Sequence, residues 1–153
     1  MILGFKLGRR LLAAVGLDAE QFGFVDSRYV GRRQTLTETA SAYFHRVIDQ
    51  ARPSVIYVYA PTAPDEPESL TKALVGVLET EAGRVGVPVK ELERADLFGS
   101  FGLVALRTRP QLFDVMSAIW PALSEAKKER QLILAEAGAA ALVGDIRQRW
   151  PPV

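Results

Sequence analysis

The chain has no cysteine and only one histidine among its 153 residues. The absence of cysteine excludes disulfides, thiolate metal sites and thiol nucleophiles, and is in keeping with a reducing compartment. A single histidine rules out a histidine-rich metal site. An excess of one charge sign is also lacking, because 19 basic and 18 acidic side chains leave a net charge of +1. Only local clusters of cations would therefore attract nucleic acid.

Long hydrophobic runs are missing too. No apolar stretch approaches the roughly 18 residues of a membrane span. The apolar start of the chain carries Lys6, Arg9 and Arg10 within it rather than ahead of it, unlike a signal peptide. We therefore expect a cytoplasmic protein with no membrane partner. With 48% apolar and 24% charged residues, residues 1–153 are predicted to form a single globular domain.

The first third of the sequence predicts β-structure. Three apolar runs, residues 1–7, 11–17 and 21–30, are separated by short turn-like segments. The third run is rich in aromatic and β-branched residues, which favour strands. Together the runs predict an antiparallel meander.

Helices and strands alternate in the remainder. Apolar residues at helical spacing predict helices over residues 36–51 and 70–85, and each is followed by a short strand, at 54–60 and 87–92. Residues 94–109 lack a clear period and are predicted to be a loop with at most one helical turn. Two helices follow, one ending near Pro121 and one from about Ser124 to Arg149. The small residues at 135–144 place the last helix against the sheet.

This order predicts an α/β fold with a five-stranded mixed sheet, three antiparallel strands and then two parallel additions, with helices on both faces. Three features carry a resemblance to a known family: the glycine-bracketed strand 2–8, the helix-proline-strand junction around Pro53, and the order of elements. In these the chain resembles the RNase H-like superfamily, in its RuvC-type Holliday-junction resolvase branch. The resemblance implies a three-layer RNase H-like fold.

The resemblance also implies where the family's acidic residues would stand. An aspartate of the family's first strand falls at Lys6. The glutamate that ends its fourth strand falls in the region of Tyr57 and Tyr59. Two aspartates of its last helix, just before an Ala-Leu pair that this chain keeps, fall at Ala137 and Ala140.

These replacements argue against metal-dependent cutting. Two-metal hydrolysis of phosphodiesters needs several carboxylates that hold two cations about 3.5–4 Å apart. Lys6 would repel such cations, and Glu136, one residue from a matched position, is a lone carboxylate. We therefore expect no catalytic residue, no metal and no cofactor. We also expect Lys6 on the central strand, facing the last helix near Ala137 and Ala140.

Clustered basic residues are the candidate nucleic-acid contacts. If the fold is right, the ends of the meander and the irregular segment could form one basic surface that grips phosphates. The candidates are Lys6, Arg9, Arg10, Arg28, Arg32, Arg33, Arg107 and Arg109. The alternative, which the balanced net charge favours, is that the arginines are solvated loop residues.

Three functions are compatible with these patterns. The first is a non-catalytic RuvC-like module for binding or assembly, with structured nucleic acid as a partner and a homodimer implied by the family. The second is a protein-interaction scaffold without nucleic-acid binding. The third is a nuclease with a relocated site that uses Asp26, Asp96 or Glu136.

Overall fold

The computed structural model describes residues 1–31, 35–61, 68–101 and 105–151. Its centre is a five-stranded sheet in the order β3-β2-β1-β4-β5. The strands are β1 (Ile2–Leu7), β2 (Leu11–Asp18), β3 (Gln21–Tyr29), β4 (Val55–Tyr59) and β5 (Val89–Leu92). The first three pair antiparallel, and β4 and β5 are parallel additions beside β1. The predicted mixed sheet is confirmed.

Strand β1 is central, and all six of its residues are buried because helices cover both faces of the sheet. On one face, Leu3, Phe5 and Leu7 pack in a core with helices α1 (Leu36–Ala51) and α2 (Glu68–Gly83). Alternate residues of a strand point to opposite faces. The other face of β1 therefore presents Ile2, Gly4 and Lys6 to the last helix, α5 (Lys128–Arg149).

Helix α5 (Lys128–Arg149) lies directly on the sheet. A methyl group at Gly4 would overlap the carbonyl oxygen of Ala137 and the amide nitrogen of Ala141. Tyr57 of β4 makes the same kind of close approach to Gly144. Small residues on both elements therefore bring the helix backbone next to the strands, as the sequence predicts.

The segment predicted as a loop contains a short helix, α3 (Arg94–Phe98). A capping box between Glu93 and Asp96 satisfies its first amide groups. Helix α4 (Arg109–Ile119) follows, capped by Thr108. The prediction that the last helix begins near Ser124 is wrong, because Pro121–Glu125 forms a 3₁₀ turn after α4 and α5 starts only at Lys128.

Candidate nucleic-acid interface

A groove opens where the parallel strands end. Lys6, near the end of β1, is paired in register with Tyr59 at the end of β4, and Arg94 follows β5. Carboxyl ends of parallel strands meet at one sheet edge, a common location for binding sites. The groove has a volume of about 660 Å³, and α5 and the start of α4 form its other wall.

A buried ion cluster lies at the floor of this groove. The Lys6 Nζ donates to Glu136 Oε2 at 2.8 Å. The Arg109 Nε donates to the other oxygen, Oε1, also at 2.8 Å, and Arg109 Nη2 donates to the same oxygen. Lys6 is 7% exposed and Glu136 is 1% exposed. Both oxygens of the carboxylate are thus held by cations away from solvent.

The surroundings of Lys6 shift its pKa in opposite directions. Burial lowers the pKa of Lys6, the nearby Glu136 carboxylate opposes that shift, and the guanidinium groups of Arg109 and Arg94 add to it. The ammonium also lies over the ring of Tyr59, 4.7 Å from the ring centroid. Without Glu136 the ammonium would be a buried and unpaired charge.

Basic residues outnumber acidic ones along the groove. Among the described residues, the lining includes six cations and two carboxylates, which is an excess of four positive charges. The cations are Lys6, Arg9, Arg10, Arg94, Arg109 and Lys128, and the carboxylates are Glu129 and Glu136. A chain with a net charge of +1 therefore concentrates positive charge at this one concave surface.

The structure brings together half of the predicted nucleic-acid contacts. Lys6, Arg9, Arg10 and Arg109 line the groove, and Lys6 lies on the central strand facing α5, as predicted. Its partner there is Glu136. Of the other candidates, Arg28 on the edge strand and Arg107 are absent from the groove's described lining, so their role in nucleic-acid binding stays a prediction. Candidates Arg32 and Arg33 lie outside the described residues.

The acidic residues proposed for a relocated nuclease site are dispersed. Asp26 accepts a hydrogen bond from Arg46 at 2.6 Å, Asp96 pairs with Arg147, and Glu136 is in the groove. Within the described ranges, no three histidine, aspartate or glutamate side chains are placed to hold a metal.

The donor set around Lys6 does not fit a divalent cation either. Glu136 supplies the carboxylate of the buried cluster. The Lys6 ammonium and the Arg109 guanidinium donate hydrogen bonds to its two oxygens. A hard cation prefers several oxygen ligands and is repelled by neighbouring positive charges. Among the residues that the structure describes, the metals implied by the family resemblance therefore have no matching set of ligands at this sheet edge.

Two groove cations, Arg94 and Lys128, are not among the sequence-based candidates. A sequence signal for Arg94 exists, because it comes shortly after a predicted strand, where parallel sheets gather functional residues.

Three aromatic side chains have structural roles. Tyr57 and Tyr59 are buried against α5, and Trp120 stacks on Phe22 with ring centroids 4.8 Å apart.

No protein-family model matches the chain, and no curated protein matches it in sequence. Solved structures do. RuvC of Thermus thermophilus has a TM-score of 0.77 at 17% identity, covering 97% of this chain and 95% of that one. The chain has the RuvC-type RNase H-like fold. The three-layer architecture implied by the sequence resemblance is thereby confirmed.

Two further similar structures are of proteins in complex with DNA. T. thermophilus RuvC in complex with a Holliday junction substrate has a TM-score of 0.78 at 16% identity, covering 98% of this chain and 95% of that chain. The fowlpox virus resolvase with Holliday junction DNA has a TM-score of 0.61 at 12% identity, with 97% and 98% covered. None of the described helices has the length and apolarity to cross a membrane.

Proposed function

We propose that this chain is a non-catalytic RuvC-type domain that binds structured nucleic acid by gripping backbone phosphates in the basic groove. The observation that supports the proposal is a cluster of cations at the end of the central strand, where the family resemblance implies acids. Lys6 and Arg109 both donate hydrogen bonds to the buried Glu136 there. Among the residues that the structure describes, the groove lining adds four cations, Arg9, Arg10, Arg94 and Lys128, and one further carboxylate, Glu129.

Four-way junctions are the first ligand to test. Two of the structures with this fold hold Holliday junction DNA. Phosphate contacts position a protein on nucleic acid without reading its sequence, so a phosphate-gripping groove would recognise shape. We therefore expect a junction of arbitrary sequence to bind more tightly than a linear duplex of the same length.

The test is fluorescence anisotropy with a labelled four-way junction, the matched duplex and a single strand. The double variant Arg9→Glu/Arg10→Glu should weaken junction binding by roughly tenfold or more, because two phosphate contacts become repulsive. The control, Arg52→Glu/Lys72→Glu, makes the same charge change at the helices on the opposite sheet face. Equal affinity of the two variants for the junction would refute the role of the groove.

Cleavage is measured on the same junctions with Mg²⁺ or Mn²⁺. We expect intact substrate, since the cluster of Lys6, Arg109 and Glu136 offers no cation site. Metal-dependent cutting that disappears in Glu136→Ala or Asp96→Ala would establish the relocated nuclease instead.

A protein-interaction scaffold is the second candidate, and one observation favours it. Ile146 and Trp150, four residues apart at the end of α5, are 39% and 69% exposed. Such a pair suits a protein contact. Salt-dependent binding to nucleic acid distinguishes the two candidates, because a scaffold without nucleic-acid contacts would not show it.

A homodimer is part of the proposal by analogy with the fold family. Sedimentation velocity measures it, with a mass of twice the chain expected. A species of single-chain mass at every concentration tested would contradict it.

A further inference from the structure

We infer that Arg109, Arg94 and Lys6 form a site for one phosphate group at the floor of the groove. The inference rests on the proposed function and deepens it, since it names the three side chains that would hold a phosphate and the ones that orient them. They come from three different elements, α4, α3 and β1, and all line the same groove.

Arg109 is held in place by the buried carboxylate. Two of its five N–H groups, on Nε and Nη2, donate to Glu136 Oε1. The side chain is nevertheless 45% exposed, so its outer edge faces the groove. Because a guanidinium is planar, fixing one edge fixes the direction of the other donors. Glu136 is therefore a positioning residue for Arg109.

Arg94 is held independently. Its Nη2 donates to the carbonyl oxygen of Arg107 at 2.6 Å. Its guanidinium carbon lies 4.1 Å from the ring centroid of Phe98, which stacks the planar group on an aromatic face. Two guanidinium groups with fixed orientation thus line one groove. Because they are already ordered, a bound ligand causes little further loss of side-chain conformational entropy.

The charge of this cluster suits one phosphate. Lys6 and Glu136 form a neutral pair, and Arg109 and Arg94 add two positive charges. The Lys6 ammonium has three N–H groups and gives one to Glu136, and Lys6 is among the residues that line the groove. A phosphodiester carries one negative charge, and free phosphate carries one or two near neutral pH. Both share the tetrahedral oxygens that a guanidinium fork recognises.

The experiment compares charge-conserving variants. Arg109→Lys keeps the positive charge and removes the planar fork. Arg84→Lys is the matched control, because it makes the same change at an exposed arginine that pairs with Glu81 and is absent from the groove's described lining. Binding of orthophosphate is measured by ³¹P NMR titration at constant ionic strength, and junction binding by anisotropy. We expect Arg109→Lys to lose about tenfold in affinity for orthophosphate and Arg84→Lys to match the unmodified protein.

The two phosphate sources are separated by competition. Orthophosphate that displaces a bound junction, with both affinities reduced by Arg109→Lys, supports a site for the nucleic-acid backbone. Orthophosphate binding that depends on Arg109 but leaves the junction bound supports a site for free phosphate alone. Equal orthophosphate affinity in Arg109→Lys and Arg84→Lys overturns the inference, while junction binding that persists in Arg109→Lys leaves the proposed function standing.

A second variant guards against loss of folding. Should Arg109→Lys unfold, which circular dichroism detects, Arg94→Lys tests the same site from the other guanidinium. Arg94 is held by the Arg107 carbonyl and the Phe98 ring rather than by Glu136, so the buried Glu136 keeps both of its partners. A tenfold loss of orthophosphate affinity is again expected, and an unchanged affinity contradicts the three-residue site.

Discussion

The pairing of Lys6 with Glu136 joins residues 130 positions apart in the chain. Each is a costly residue to bury alone, because a charge taken from water loses several kcal/mol of solvation. Together with Arg109 they satisfy one another at the floor of the groove. The cluster therefore contributes little net stability as a unit, but breaking it leaves an uncompensated charge.

Single and double substitutions in this cluster should therefore change the free energy of unfolding by unequal amounts. Glu136→Met strands the Lys6 ammonium and should lower the free energy of unfolding by about 3 kcal/mol. Lys6→Met/Glu136→Met removes both charges and should be less destabilised than Glu136→Met alone. Urea unfolding measures both.

Glu129→Met is the control, since it makes the same change at an exposed carboxylate of the same helix, and it should shift stability by less than about 1 kcal/mol. A double variant that is less stable than Glu136→Met would show that the two charges stabilise the fold rather than compensate each other.

At the scale of elements, the contact between β1 and α5 positions the groove. Gly4 lies two residues before Lys6 on the same face of the strand, against the backbone of Ala137 and Ala141. The absence of a side chain at Gly4 lets the helix approach, and this approach brings Glu136 within reach of Lys6.

Gly4→Ala should therefore push the helix from the strand and lower the free energy of unfolding by about 3 kcal/mol. Gly76→Ala in α2 is the control, because a methyl group there meets nothing within 4 Å. It should raise stability by up to about 1 kcal/mol through helix propensity. Chemical denaturation measures both, and a neutral Gly4→Ala would mean that strand and helix separate at little cost.

At the scale of the whole molecule, charge distribution matters more than charge total. The net charge is +1, but the described residues that line the groove carry an excess of four positive charges. Attraction to a polyanion therefore depends on one concave surface rather than on the overall field. The balanced composition that favoured solvated arginines is compatible with this local excess.

The salt dependence of junction binding should reflect the excess of positive charge in the groove. Each phosphate neutralised on duplex DNA contributes about −0.9 to the slope of log K against log salt concentration. A slope between about −2 and −4 is expected, and it should fall toward zero in Arg9→Glu/Arg10→Glu. A much steeper slope would mean that DNA contacts a larger surface than the groove, and a flat one would favour the protein scaffold.

Much of the fold was predictable because local pattern encodes it. Alternating apolar runs separated by turns identified the meander, and helical spacing identified α1, α2 and α4. The short helix α3 corresponds to the one helical turn allowed within residues 94–109, but its position was not predicted, since five residues are too few to show a period. The start of α5 was misplaced because propensity alone does not distinguish a 3₁₀ turn from a first α-helical turn.

The sequence alone predicted the mixed sheet and the place of Lys6 on its central strand, because both follow from the order and apolar pattern of the elements. The sequence also shows no acid at Lys6, Tyr57, Tyr59, Ala137 and Ala140, and the family resemblance implies that acids would stand there. Only the tertiary structure decided that Glu136 holds Lys6 and Arg109, and that Arg94 joins the same groove. Such contacts depend on the depth at which α5 and α3 pack against the sheet. Side-chain pairing across distant elements is fixed by that packing and has no periodic signature in the chain.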